Sequence, residues 1–194
     1  MQKIMFNDHY DLTQAVLDGR KTMTRRIVHP SFFTLSWDTR DDTLVYENDF
    51  GDFIDIRCSK YCPYKVGEIV AVAQSYKQIY HQEGLETMHM LVSGMQNSAG
   101  WTNKMFVRAE LMPHRIRITN VRIERLQAIP EDECEKEGIM SHPDFNTCWF
   151  IDNGRGNHYP SLRESYAALI DKVSGKGTWQ SNPWVWVYEF ELVK

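Results

Sequence analysis

No stretch of this 194-residue sequence approaches the run of apolar residues needed to cross a bilayer, and the opening MQKIMFNDHYDL holds no long apolar core of a secretion signal. A soluble cytoplasmic protein without a membrane partner is expected. Massed charge of one sign is missing too. The formal net charge of −4 excludes a protein that coats nucleic acid through many Lys and Arg, because such binding rests on phosphate neutralisation; a local basic pocket stays open. Neither G-x-G-x-x-G nor a Walker loop occurs, so dinucleotide and nucleoside-triphosphate chemistry have no support and no cofactor is expected. Cysteine is sparse: of Cys58, Cys62, Cys134 and Cys148 only the first two are close, as CSKYC. A structural zinc site shows two tight pairs, so the plainer reading is four reduced thiols and no metal. Internal repeats and low-complexity tracts are absent as well.

What is present suits one domain with a real core, since 42% of the residues are hydrophobic. In DHYDLTQAVLDG, Leu12, Ala15 and Val16 recur at helical spacing and Gly19 sits where a left-handed terminator belongs, which predicts a helix over 10–18. KTMTRRIV then reads as a strand with Thr22, Thr24 and Arg26 on one face. Residues 31–62 read as hairpin-like strands in an insertion with no evident chemistry. After the apolar run Ile69 to Ala73, residues 81–104 lose periodicity and are expected to be a loop or flap. HRIRITNVRIERL switches the parity of its apolar residues, which predicts a bulge near Thr119 and Asn120. An acidic helix is expected over 130–137 and a capped one over 161–173, the latter with Leu162, Tyr166, Leu169, Ile170 and Val173 on its apolar face. The closing NPWVWVYEFELV predicts a central strand over 184–192. Many short strands with helices at the corners point to an α+β fold built on a small mixed barrel.

The segment DGRKTMTRRI concentrates the chemistry. Cations crowded around Lys21 disfavour one another and lower a lysine pKa, and a lysine so tuned can serve as a base or activate a neighbouring hydroxyl. The densest run of carboxylates, Glu131, Asp132, Glu133, Glu135 and Glu137, could supply the electrostatic partner. A plainer reading stands beside this one: a basic run after a helix is often a solvated face, and an acidic first turn complements the helix dipole.

AVLDGRKTMTRRI, followed in order by YKVGEIVAV, RITNVRIERLQAIPEDECEKEGI and NPWVWVYEFELV, resembles the ASCH domain family. G-R-K-T-x-T-x-R is the most specific piece, and the four blocks cover most of the chain outside 31–62 and 81–104. With KMFVRAELMPHR before the Arg-rich strand, the layout is similar to the larger ASCH proteins of bacteria and phages. The resemblance implies a single PUA-like domain over 1–194, a small β-barrel with flanking short helices, and nucleoside or RNA ligands. One bacterial branch of the family hydrolyses the acetyl amide of N4-acetylcytidine with a Lys, a Thr and a Glu, which fall here on Lys21, Thr24 and Glu137. Gly138 follows where that branch carries Asn. On this expectation Lys21 is the general base, Thr24 attacks or orients the carbonyl and Glu137 carries the proton. Arg20, Thr22, Arg25, Arg26, Arg108 and Arg115 are the candidate substrate-binding residues.

Two alternatives remain at this level. A non-catalytic RNA or modified-base binding module would stack bases on Trp184, Trp101 or Tyr76 and hold phosphates with Arg108, Arg115 and Arg117. A ribonuclease would use the same basic corner, with His29 and His114 as unplaced histidines. The sequence assigns no oligomeric state.

Overall fold

The structure, a computed structural model, describes residues 1–28, 35–38, 43–48, 50–82, 84, 86–142 and 147–193. His29 and part of the 31–62 insertion lie outside these. A short strand β1 (Lys3–Ile4) and a 3₁₀ turn lead into α1 (Leu12–Leu17), after which the corner enters β2 (Met23–Ile27). The insertion forms β3 (Leu35–Asp38), β4 (Thr43–Glu47) and β5 (Phe53–Asp55), an antiparallel three-stranded sheet. β6 (Ile69–Val72), α2 (Tyr76–Tyr80), α3 (Glu86–Ser93), β7 (Arg115–Arg125) and α4 (Glu131–Lys136) follow. The chain ends with β8 (Met140–His142), β9 (Thr147–Asp152), β10 (Arg155–Tyr159), α5 (Leu162–Ser174), α6 (Thr178–Ser181) and β11 (Trp184–Val193).

The principal sheet has the order β1-β6-β7-β11-β2, with β1 parallel to β6 and the other pairs antiparallel. The fold is thus mixed α and β. The expected closed barrel is not formed among the described residues, where the five strands make an open sheet edged by β1 and β2. β11 lies between β7 and β2, as its two apolar faces require. Glu189 pairs with Asn120 and Phe190 with Ile118, so Thr119 is the extra residue that returns Ile116, Ile118 and Val121 to the interior. The apolar run of β6 has a similar logic: Val70 and Val72 enter the main core, whereas Ala71 and Ala73 enter a second cluster with Tyr76, Ile79, Val92 and Met112.

That second cluster corrects the expectation of an aperiodic loop over 81–104. Ser75 caps α2 reciprocally with Gln78, and α3 buries Val92. A helix of two turns has too few apolar positions to display a period, so tertiary burial decided what the pattern could not. β8 to β10 form a further sheet that was not anticipated. Its tight turn has Asn153 and Gly154 at φ 51° and 77°, the left-handed pair that Asn-Gly adopts in two-residue hairpins.

Gly100 allows the second cluster to close, because a Cβ there would lie 2.5 Å from Tyr76 Cε2. Gly100→Ala is expected to cost about 1–3 kcal/mol by overpacking. Gly94→Ala, with open space around its Cβ, should leave stability nearly unchanged. Urea midpoints of the two variants check this.

Candidate active site

Two turns in the backbone bring residues from opposite ends of the chain together. Gly19, at φ 73°, ends the α1 segment, and the Lys21 amide returns to the Ala15 carbonyl at 2.9 Å before the strand begins. Lys21 therefore precedes β2 and escapes its alternation, so it reaches the same cavity as Thr24 despite a spacing of three that would oppose them in a regular strand. The Thr22 amide donates to the Lys136 carbonyl at 3.0 Å, which fastens the corner to the end of α4 and leaves Glu137 as the next residue. Gly138, at φ 101°, turns the chain away. A Cβ there would sit 3.2 Å from Leu12 and strain the backbone as well.

The result is a buried ion pair. Lys21 Nζ donates to Glu137 Oε2 at 2.6 Å and to the Glu137 carbonyl at 2.8 Å, and the two side chains are 3% and 5% exposed. Burial pulls the lysine below its ordinary value of 10.5, partly opposed by the Glu137 carboxylate beside it. Glu137 Oε1 accepts from Arg25 Nη1 at 3.1 Å. Arg25 also binds Glu124 Oε1 through Nη2 at 2.6 Å and pairs with Glu133, which Arg122 holds in turn together with Glu189. Burial works against the Arg25 cation, but Glu137 and its companions more than offset it and raise its pKa. Charges thus alternate from Glu189 at the surface, through Arg122, Glu133, Arg25 and Glu137, to Lys21.

Lys21, Arg25 and Glu137 open onto a cavity of about 670 Å³ that Thr24, Arg26, Phe6 and the inward face of α5 also line. The hydroxyl of Thr24 takes no hydrogen bond among the described residues. Arg26 donates to the Met5 carbonyl and lies over the Phe6 ring, 5.7 Å from its centroid, with Lys21 Nζ 5.9 Å from the same ring. Arg26 Nε is buried without a partner among the described residues. Among the described residues, no ion pair engages Arg26, whereas Lys21, Arg25 and Lys104 each face a carboxylate.

Of the residues expected at the site, Lys21, Thr24, Glu137, Arg25 and Arg26 meet at this cavity, and the rest do not. Arg20 points away and pairs with Asp11 and Asp18. Thr22 contributes its backbone rather than its side chain, and Arg108 and Arg115 are exposed elsewhere. Arg25 is committed to three carboxylates, so it holds Glu137 in place rather than a ligand. Trp101, Tyr76 and Trp184 do not line the cavity; Trp101 packs on Tyr80, and Arg125 covers Trp184. His114 bonds Gln82 at 2.6 Å in another part of the molecule. One histidine, His9, stands at the cavity's rim with Nε2 held by Asp152 at 2.8 Å. Sequence reasoning missed Phe6, Lys104 and Tyr166, because a single aromatic or lysine without a local motif carries no signal of what it will face.

No family model, curated protein or solved structure matches this chain. Among the described residues no cluster of three His, Cys, Asp or Glu side chains is placed to hold a metal, and no helix is long and apolar enough to cross a membrane.

Removing one member of a buried pair leaves the other charge without compensation, at a cost of about 3–5 kcal/mol. Glu137→Ala is expected to destabilise by that order. Arg20→Ala, which breaks only exposed pairs, should cost under about 1 kcal/mol. Thermal and urea denaturation of the two variants measure the contrast.

Proposed function

We propose that this protein is a nucleoside-directed amidohydrolase of the ASCH type, removing the acyl group from N4-acylated cytosine, and that its open sheet with flanking helices is a PUA-like core. The support is the Lys21–Glu137 contact at 2.6 Å inside a cavity that Thr24 also lines. The cavity is of ordinary size for a small ligand, which favours a nucleoside over an extended RNA strand. Of the residues that an RNA-binding module would need, Tyr76 is buried in the second cluster, and Trp101, Trp184, Arg108 and Arg115 lie away from the cavity.

The hydrogen bonds suit Lys21 as the base. A neutral amine has two N–H groups and a lone pair; the two N–H groups can keep both bonds to Glu137 while the lone pair serves the cavity. Lys21 takes the Thr24 hydroxyl proton as its oxygen attacks the acyl carbonyl, and the unpartnered Arg26 Nε–H supports the oxyanion. The proton passes by way of Glu137 to the departing N4, releasing the cytosine amine. Water, deprotonated by the same lysine, then attacks the acyl carbon of the Thr24 ester, and the lysine returns that proton to the Thr24 oxygen as the ester bond breaks and the carboxylic acid leaves.

Incubation with N4-acetylcytidine and N4-benzoylcytosine should release the free amine, seen by chromatography. Lys21→Met and Thr24→Val should each lower kcat by about 100-fold or more, while Arg115→Ala leaves it unchanged. Wild-type protein inert to both substrates would defeat the hydrolase reading; RNA binding without turnover would favour the binding module.

The neutral lysine is the active form, so the rate should rise with pH. Because burial lowers the Lys21 pKa, the limb should level off below the ordinary lysine value of 10.5. A pH–rate profile of kcat/KM gives its position.

A further inference from the structure

Four buried side-chain atoms among the described residues have no hydrogen-bond partner: Arg26 Nε, Gln74 Oε1, Ser165 Oγ and the Tyr166 hydroxyl. Ser165 does not line the cavity of the Lys21–Glu137 pair, and Gln74 faces a smaller one. Arg26 and Tyr166 both belong to the cavity of the Lys21–Glu137 pair. Tyr166 is 1% exposed and packs edge-on against Trp179, at 6.1 Å between ring centroids. Its ring is anchored, and its hydroxyl, closed off from the empty cavity, has no partner among the described residues.

A phenol that folding leaves without a partner is a defect unless something else supplies one. The position of Tyr166 on α5 indicates what that is. Tyr166, Leu169, Ile170 and Val173 follow one helical stripe, and all four line the cavity. The stripe offers one polar group followed by an apolar wall, a surface suited to a flat heterocycle that carries an acceptor on its edge. Burial, reinforced by the Glu137 carboxylate, holds the phenol well above its ordinary pKa, so it stays protonated and donates.

We propose that Tyr166 is a specificity-determining residue: its hydroxyl, uncovered by a shift of its neighbours as the ligand enters, donates to a carbonyl oxygen or ring nitrogen of the substrate's pyrimidine, while Leu169, Ile170 and Val173 cover the ring. The assignment rests on the amide-hydrolase reading of the same cavity. It selects acyl amides of acceptor-bearing heterocycles over simple aryl amides, since a site left with an unpaired polar group rejects the ligand that cannot satisfy it.

Tyr166→Phe keeps the ring and removes only the hydroxyl. Wild type and variant are compared with N4-acetylcytidine and with acetanilide, an aryl amide without a ring acceptor, and by thermal denaturation without ligand. The variant is expected to raise KM for N4-acetylcytidine by about tenfold with kcat nearly constant. KM for acetanilide should not change. The free variant should melt about 2–4 °C higher, because a buried unsatisfied group has been removed. Unchanged selectivity in an active variant overturns the role of Tyr166 and leaves the hydrolase reading intact, as does a kcat loss at constant KM. A melting point several degrees lower also overturns it, by showing that the hydroxyl is bonded within the protein. Wild type inert to both amides removes the hydrolase reading and this assignment with it.

Discussion

An ammonium and a carboxylate taken out of water lose hydration that their mutual attraction offsets only when geometry and additional hydrogen bonds are good. Lys21 and Glu137 meet that condition because each is held from several sides: the lysine by the carboxylate and carbonyl of one residue, the glutamate also by Arg25. Much of the surrounding architecture follows from this requirement. Gly19 and Gly138 release the backbone on either side of the pair, the Thr22 amide fixes the register between the corner and α4, and Glu124 and Glu133 balance the arginine that balances the glutamate.

The same network separates two kinds of basic residue that look alike in a list. Arg25 and Arg26 are adjacent on β2, yet strand alternation sends the first among carboxylates and the second over Phe6. One serves the pair and the other serves the cavity. Of the four buried polar atoms without a partner among the described residues, two belong to residues that line the cavity, Arg26 and Tyr166. Unmet hydrogen-bonding capacity costs stability, and a lysine whose pKa burial lowers, set beside a cavity, is an arrangement common at functional sites.

Elements with a long apolar period or a strong terminator were legible in the sequence. α1, α4, α5 and β11 lie within a few residues of the spans their patterns predict, and the parity switch in β7 marks the bulge at Thr119. The short elements were harder. α3 exposes much of its surface, including Met90 at 82%, and only its burial of Val92 against the second cluster makes it a helix. The hairpin of β9 and β10 had a readable Asn-Gly turn, but three unmotivated short strands leave its partner β8 unspecified. Closure of a sheet depends on how distant strands pair, which local pattern does not encode.

The sequence by itself determined which residue types were available at the corner, the motif Gly19 to Arg26 and the carboxylates of 131–137, because helix termini, strand parity and charge spacing are local properties. Tertiary structure decided which of those carboxylates meets Lys21, which arginine is spent on structure, and which aromatic looks into the cavity. Tyr166 belongs to the apolar stripe of α5 in sequence, alongside Leu169 and Ile170. Only the docking of that helix against the Lys21–Glu137 corner makes Tyr166 a cavity residue whose hydroxyl has no partner among the described residues, since hydrogen-bond satisfaction is settled by groups far away along the chain.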